Sequence, residues 1–107
     1  MLRQDTKQLY GFMISSKIRS NILEILFKNP SLRQSEIAKS IQQKQQNIYK
    51  SIDDLQKSGL IECLNPEKKA WKSYLITELG KEVWNFGKQL KDETKERNIK
   101  IAHKKSY

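Results

Sequence analysis

Apolar residues recur at helical spacing in three separate stretches of this chain, and each stretch is bounded by residues that start or stop a helix. The clearest stretch has apolar residues at positions i, i+4, i+7 and i+8, namely Ile18, Ile22, Ile25 and Leu26. Ser16 before them is a preferred N-cap, and Pro30 after them cannot donate a helical hydrogen bond. The pattern predicts a helix that begins at Ser16, buries one face and ends before Asn29.

Two further helices are predicted between Pro30 and Gly59. The first runs from Arg33 or Gln34 to about residue 41, with an inward face of Ile37, Ala38 and Ile41. The second runs from about residue 44 or 45 to 58, and its buried positions are Ile48, Ile52 and Leu55. Gly59 suits a C-terminal cap for it. At about 100° per residue, the opposite face of this second helix carries Gln46, Tyr49, Lys50, Asp53 and Lys57.

A hairpin and two flanking helices complete the expected elements. Residues 60–64 and 71–76 are rich in β-forming residues, and the turn-like residues 65–69 between them make a basic tip. Thr77 is a suitable N-cap for a last helix, whose apolar stripe is Leu79, Val83, Phe86 and Leu90 with Trp84 beside it. A short helix over residues 6–13 is expected at the start, with Leu9, Phe12 and Met13 on one side.

The charge of the chain indicates the kind of partner. There are 21 Lys and Arg residues against 12 Asp and Glu, a net charge of +9 on 107 residues, which suggests an anionic partner for a single domain. One cysteine, Cys63, and one histidine, His103, cannot assemble a metal set, and no cofactor is expected. No glycine-rich phosphate loop is present and no nucleophile lies beside His103, so an enzyme is not expected. Neither a membrane-spanning stretch nor a secretory signal is found, so the expected location is the cytoplasm, with the nucleoid.

Four segments are informative because of their order and spacing. They are residues 18–26, 35–41, 47–61 and 74–80, the last of which reads Tyr-Leu-Ile-Thr-Glu-Leu-Gly. Together they resemble the winged helix-turn-helix core of bacterial and archaeal transcription regulators of the MarR-like and ArsR-like families. The resemblance implies a mainly α fold with a small β-hairpin. Its parts would be a three-helix core and wing over about residues 16–80, a dimerisation helix over about 77–98 and a basic tail over about 99–107.

The resemblance also implies that the helix beginning near Lys44 lies in the major groove of DNA, which is wide enough for one helix. Glutamine and asparagine amides can pair with adenine, and lysine can reach guanine or phosphate. The candidate base contacts are Lys44, Gln45, Gln46, Asn47, Tyr49 and Lys50. The candidate wing and backbone contacts are Arg33, Lys68, Lys69 and Lys72. The alternative for both sets is a solvated turn, helix start and hairpin tip.

The apolar stripe of the last helix is assigned to a dimer interface, because it exceeds what the small core needs. The candidate interface residues are Leu79, Val83, Trp84, Phe86 and Leu90, joined by Leu9 and Phe12 from the first helix. Packing within one chain is the alternative for this stripe. The ArsR-like metal-ligand sets are absent from the sequence, so metal-induced release is not expected.

These features together predict a homodimeric, sequence-specific regulator of transcription that acts as a repressor by occupying double-stranded DNA. Two alternatives remain open: a sequence-tolerant architectural DNA-binding protein, and a winged-helix module for protein interaction. The ratio of the affinity for a preferred DNA sequence to the affinity for random DNA distinguishes the first alternative from a regulator, which needs a high ratio. The sequence leaves open whether a small-molecule effector exists.

Overall fold

The computed structural model describes the backbone of residues 4–105 and the side chains of residues 6–91. Its elements follow one another as helices and short strands along the chain. They are α1 (Gln4–Ile14), α2 (Lys17–Lys28), β1 (Leu32–Arg33), α3 (Gln34–Ser40), α4 (Gln45–Lys57), β2 (Ile61–Cys63), β3 (Ser73–Ile76) and α5 (Glu78–Lys105). The predicted fold class, a mainly α winged helix-turn-helix with a small β wing, is confirmed.

The helix ends follow from local hydrogen bonds and backbone geometry. Ser16 is the N-cap of α2, and its hydroxyl accepts the Arg19 N–H at 3.3 Å. Asn29 has an extended backbone directly before Pro30, as a residue before proline requires. After α4, Gly59 takes a positive φ of 82°, which glycine adopts without steric cost. These boundaries of α2 and α4 are as predicted.

The turn between α3 and α4 fixes how the two helices of the helix-turn-helix cross. Gln42 has a positive φ of 58°, and the next N–H, from Gln43, donates to the Ala38 carbonyl at 2.8 Å. A non-glycine residue in this left-handed region is uncommon and costs free energy. The chain therefore turns sharply here and presents the first turn of α4 to solvent.

The core lies where α2, α3 and α4 pack against the inner side of the sheet. Its fully buried side chains come from every one of these elements and from the start of α5. The larger ones are Ile22, Leu23, Leu26, Ile37, Ile48, Leu55, Leu60, Ile61 and Val83. Every predicted inward position of α2 and α4 lies in this core or packs against it, so α4 has one buried side and one free side.

The sheet has three antiparallel strands in the order β1-β3-β2. Residues 61–63 pair with β3 as the predicted hairpin, with Ile61 opposite Ile76. The additional strand β1 pairs on the other side, with Leu32 opposite Tyr74, and was not predicted. The second predicted strand is shorter than expected, because Trp71 has a positive φ of 63° and lies outside it.

The helices α1 and α5 pack along each other beside the core. The buried Thr6 hydroxyl donates to the Glu82 carboxylate at 2.9 Å, and the Tyr10 ring meets the edge of Phe86 with centroids 5.3 Å apart. Helix α1 continues through Gly11 to Ile14. Helix α5 continues to Lys105, beyond the predicted end near residue 98, so residues 99–105 of the predicted basic tail are helical. The side chains of that tail lie outside the described residues.

The length of α5 makes the molecule elongated. Its extents are 62 × 31 × 22 Å and its radius of gyration is 16.4 Å. A compact chain of this length would have a radius of gyration of about 13 Å. The second half of α5 therefore extends away from the core.

Candidate nucleic-acid interface

The exposed side of α4 carries three polar stripes. Gln45 and Tyr49 lie toward the wing, and both line the cleft between α4 and the hairpin. Gln46 and Lys50 are exposed on the outermost stripe, opposite the buried Ile48. The third stripe carries Asp54, which contacts Arg19 of α2, and Asn47 two helical turns before it. The first turns of α4 thus present amide, phenol and ammonium groups to solvent.

Several of these side chains already have partners within the chain. The Asn47 amide donates to the Gln43 side chain at 3.3 Å, which ties the helix start to the turn. Lys50 donates to Asp54 at 3.4 Å, one helical turn later. The Tyr49 side chain is 68% exposed, which is unusual for a large aromatic group on a small protein.

Both acidic residues of α4 are held in ion pairs. Lys57 contacts Asp53 at 2.9 Å, and that hydrogen bond and charge raise the pKa of Lys57 above its ordinary value of 10.5. Asp54 is contacted by both Arg19 and Lys50. Partial burial works to raise the pKa of Asp54, but hydrogen bonds and charges from Arg19 and Lys50 outweigh it, so the pKa lies below its ordinary value of 3.8. The carboxylates that would repel a phosphate chain are therefore neutralised by neighbouring cations.

The hairpin connecting β2 and β3 forms the wing, and Asn65 organises its loop. The Asn65 side chain accepts the Ser73 N–H at 2.9 Å and donates to the Trp71 carbonyl at 3.1 Å. The Asn65 carbonyl also accepts the Lys68 N–H at 3.1 Å. This one side chain holds both ends of the loop, so Lys68 and Lys69 stand at an exposed tip of defined shape.

A cleft of about 580 Å³ separates α4 from the wing. It brings together five of the predicted DNA contacts, which are Arg33, Gln45, Tyr49, Lys69 and Lys72. Lys44, Gln46, Asn47, Lys50 and Lys68 are exposed outside the cleft. The predicted contacts therefore divide between the cleft, the outer stripes of α4 and the tip of the wing.

Trp71 is a residue of this surface that was not predicted as a contact. Its indole is 69% exposed and lines the cleft, and the Arg33 guanidinium lies over the ring at 5.3 Å from its centroid. Its positive φ is an outlier for a bulky residue, and such strain tends to occur at functional sites. The sequence does show an aromatic residue among Lys68, Lys69 and Lys72. Because tryptophan also favours β-strands, Trp71 is predicted only as part of the second strand.

The predicted dimer stripe of α5 is divided between the interior and the surface. Val83 is 0% exposed in the core of a single chain, so its assignment to a dimer interface is wrong. Trp84 packs against Phe27, with centroids 5.9 Å apart, and Phe86 packs against Tyr10. Partly buried residues that pack against the chain's own core are Leu9, Phe12 and Leu79. Packing within one chain thus explains much of the stripe. Leu90 in the same stripe is 38% exposed.

Within residues 4–105, no helix is both long and apolar enough to cross a membrane. Among the side chains of residues 6–91, no three His, Cys, Asp or Glu groups lie together in a way that could hold a metal ion.

Comparison by sequence gives a family match for the segment that contains α2, α3 and α4. Residues 15–62 match the family model for winged helix-turn-helix DNA-binding domains, which is just under half of the chain. The match runs from the residue before the N-cap of α2 to the second residue of β2 and includes the whole of α4. No curated protein matches the chain by sequence.

Comparison by structure extends the similarity over most of the chain. The DNA complex of MepR from S. aureus superimposes with a TM-score of 0.72 at 18% identity, covering 94% of this chain and 83% of MepR. The adhesin competence repressor AdcR from Streptococcus pyogenes gives 0.61 at 21% identity, covering 83% and 66%. Another MarR family transcription regulator gives 0.63 at 22% identity, covering 83% and 65%. Residues 15–62 therefore match winged helix-turn-helix DNA-binding domains, and the chain shares its fold with MarR-family transcription regulators.

Proposed function

We propose that this protein is a homodimeric transcription regulator that binds specific sequences of double-stranded DNA and represses by occupying them. The observation that carries the proposal is the polar, exposed first half of α4 beside a basic wing across one open cleft. A helix with one free polar face fits the major groove, and the lysines beside it fit the phosphate backbone. The protein would act by binding, without catalysis, in the cytoplasm with the DNA.

The proposed DNA surface has two parts, one on α4 that contacts bases and one on the wing that contacts phosphates. We assign Gln45, Gln46 and Asn47 to the reading of base edges, because their amides donate and accept hydrogen bonds at once. We assign Lys68 and Lys69 at the wing tip to phosphates, which gives affinity and register without sequence information. The net charge of +9 supports this second part.

The proposed dimer uses α5 near the point where the helix leaves the core. Leu90 lies there as an exposed large apolar residue, and a two-fold dimer would set two α4 helices about one DNA turn apart. A Leu90→Asp variant is expected to sediment as a monomer where the unchanged chain sediments as a dimer. Gln89→Asp adds the same charge at the neighbouring exposed position and is the matched control. Identical sedimentation of all three chains would contradict the dimer role of α5.

Selection of duplex DNA from a random pool, by the purified chain at near-physiological salt, tests the proposed function directly. The expected result is enrichment of an inverted repeat with half-sites about 10 base pairs apart. Retention of DNA without any consensus would instead support the architectural alternative, which the high charge also accommodates. A chain that retains no DNA would overturn both and leave the protein-interaction module.

A further inference from the structure

Arg19 joins three parts of the molecule through one guanidinium group. It lies on α2, and its Nη1 donates to the Phe12 carbonyl at 2.9 Å and to the Ser15 hydroxyl at 3.0 Å, at the end of α1. Its Nη2 donates to Asp54 of α4 at 3.2 Å. The guanidinium also stacks on the Phe12 ring at 4.0 Å from the centroid. The planar fork of arginine suits such simultaneous contacts, which an ammonium group cannot reproduce.

The contact with Asp54 matters because of what Asp54 touches next. The other carboxylate oxygen of Asp54 accepts from Lys50, a candidate DNA contact whose side chain is 84% exposed. Asp54 is thus shared between an enclosed cation on α2 and an exposed cation on α4. Within the described part of the chain, Arg19 with Asp54 is the one ion pair that connects α4 to another helix.

If Arg19 served only to pack the helices together, an apolar side chain at its position would stabilise the fold more. The Arg19 Nε is buried and has no hydrogen-bond partner within the described part of the chain. A buried donor without a partner lowers stability, and an apolar side chain at this position would avoid that cost. An apolar side chain would also leave Asp54 without its contact to α2, which the charge of Arg19 provides.

We infer that Arg19 is a positioning residue for DNA binding, which holds Asp54 so that Lys50 is free to exchange from the Asp54 carboxylate to a DNA phosphate. This inference rests on the proposed function. With Arg19 in place, Asp54 keeps a cationic partner when Lys50 leaves it. Without Arg19, the departure of Lys50 would leave the Asp54 carboxylate without a cationic partner on the α2 side of α4, so Lys50 stays with Asp54. The same guanidinium links the position of α4 to the end of α1.

The test is DNA binding by four chains at several salt concentrations: the unchanged protein, Arg19→Gln, Asp54→Asn and the double variant. Arg19→Gln is expected to weaken binding about fivefold, and adding Asp54→Asn is expected to restore it to within about twofold. The salt slope should fall by about one unit in Arg19→Gln and recover in the double variant, because Lys50 is again available to phosphate. Loss of packing alone would not be rescued by a second substitution.

Two control variants distinguish the positioning effect of Arg19 from the effect of the net charge and from a loss of folding. Lys17→Gln removes one positive charge from α2, two residues before Arg19. Its effect on DNA affinity should be additive with that of Asp54→Asn, so Asp54→Asn should not rescue it. Arg19→Lys keeps the charge and most of the stem but loses the fork, and it should weaken binding in the same direction as Arg19→Gln. Arg19→Lys also serves as the test variant if Arg19→Gln does not fold, which thermal unfolding shows.

The outcomes distinguish this inference from the proposed function. Rescue of Arg19→Gln by Asp54→Asn supports the positioning role. A second outcome is that the unchanged chain binds DNA, while the effects of Arg19→Gln and Asp54→Asn on its affinity are additive in the double variant. That outcome would overturn the positioning role and leave the proposed function intact. Absence of DNA binding by the unchanged chain would overturn both.

Discussion

Gly80 is the position where a single methyl group should do most damage to the wing. It is the third residue of α5, and a Cβ built on it would overlap the Leu60 carbonyl oxygen and the Ile76 side chain. The same carbonyl accepts hydrogen bonds from the Thr77 N–H at 3.0 Å and from the Thr77 hydroxyl at 3.1 Å. Alanine at this position therefore has to push α5 away from the strands that support the wing.

The size of the effect follows from these contacts. Overpacking a closely packed site costs about 1–3 kcal/mol, and each of the two hydrogen bonds to Leu60 that is weakened costs up to about 1 kcal/mol. The better helix propensity of alanine offsets about 1 kcal/mol of this loss. We expect Gly80→Ala to lower the free energy of unfolding by about 2 kcal/mol, the middle of the range that these contributions allow, measured by urea denaturation.

Gly11 provides a matched control, because it is also a helical glycine. It lies in the middle of α1, and nothing approaches its Cβ position within 4 Å. Gly11→Ala should raise the free energy of unfolding by about 0.5–1 kcal/mol, since only helix propensity changes. Equal stability of Gly80→Ala and the unchanged chain, or equal losses in both variants, would refute the argument from close packing at Leu60.

Three further predictions concern the DNA surface and its ion pairs. Gln46→Ala should reduce discrimination between selected and random DNA while keeping most non-specific binding, and competition binding with both DNAs would measure this. Lys68→Ala combined with Lys69→Ala should weaken binding to all DNA and reduce the salt slope by about 2 units; loss of sequence preference instead would contradict their assignment to phosphates. The ion pairs of Asp54 stabilise the fold above its ordinary pKa of 3.8, and this contribution is lost as the pH falls through the lower pKa of the folded chain. Urea unfolding of the unchanged chain and Asp54→Asn at decreasing pH should show the difference shrinking; a constant difference would contradict it.

The helices could be predicted because their signals are local. The apolar spacing of α2 and α4 is set within a few turns of chain, and Ser16, Pro30 and Gly59 end those helices by their own backbone chemistry. The outward side of α4 follows from the same periodicity. The general location of the DNA surface therefore required no knowledge of distant contacts.

The features that were missed depend on residues far apart in the chain. Strand β1 is two residues long and exists because β3 offers a free edge, which no local pattern of Leu32 reveals. The burial of Val83 depends on how α5 crosses the sheet, so periodicity identified its stripe but not what covers it. The contact of Arg19 with Asp54 joins residues 35 positions apart, and neither residue is distinctive alone.

The two tryptophans of the chain lie in separate environments, and this has a spectroscopic consequence. Trp71 is exposed at the cleft beside Arg33, whereas Trp84 is half-buried against Phe27. Because the emission of an indole depends on its contact with water, the two rings emit differently. A Trp84→Phe chain would carry one fluorophore on the proposed DNA side, and a Trp71→Phe chain would carry one between α2 and α5. The molecule thus contains two optical reporters, one for events at the wing and one for the packing of its long helix.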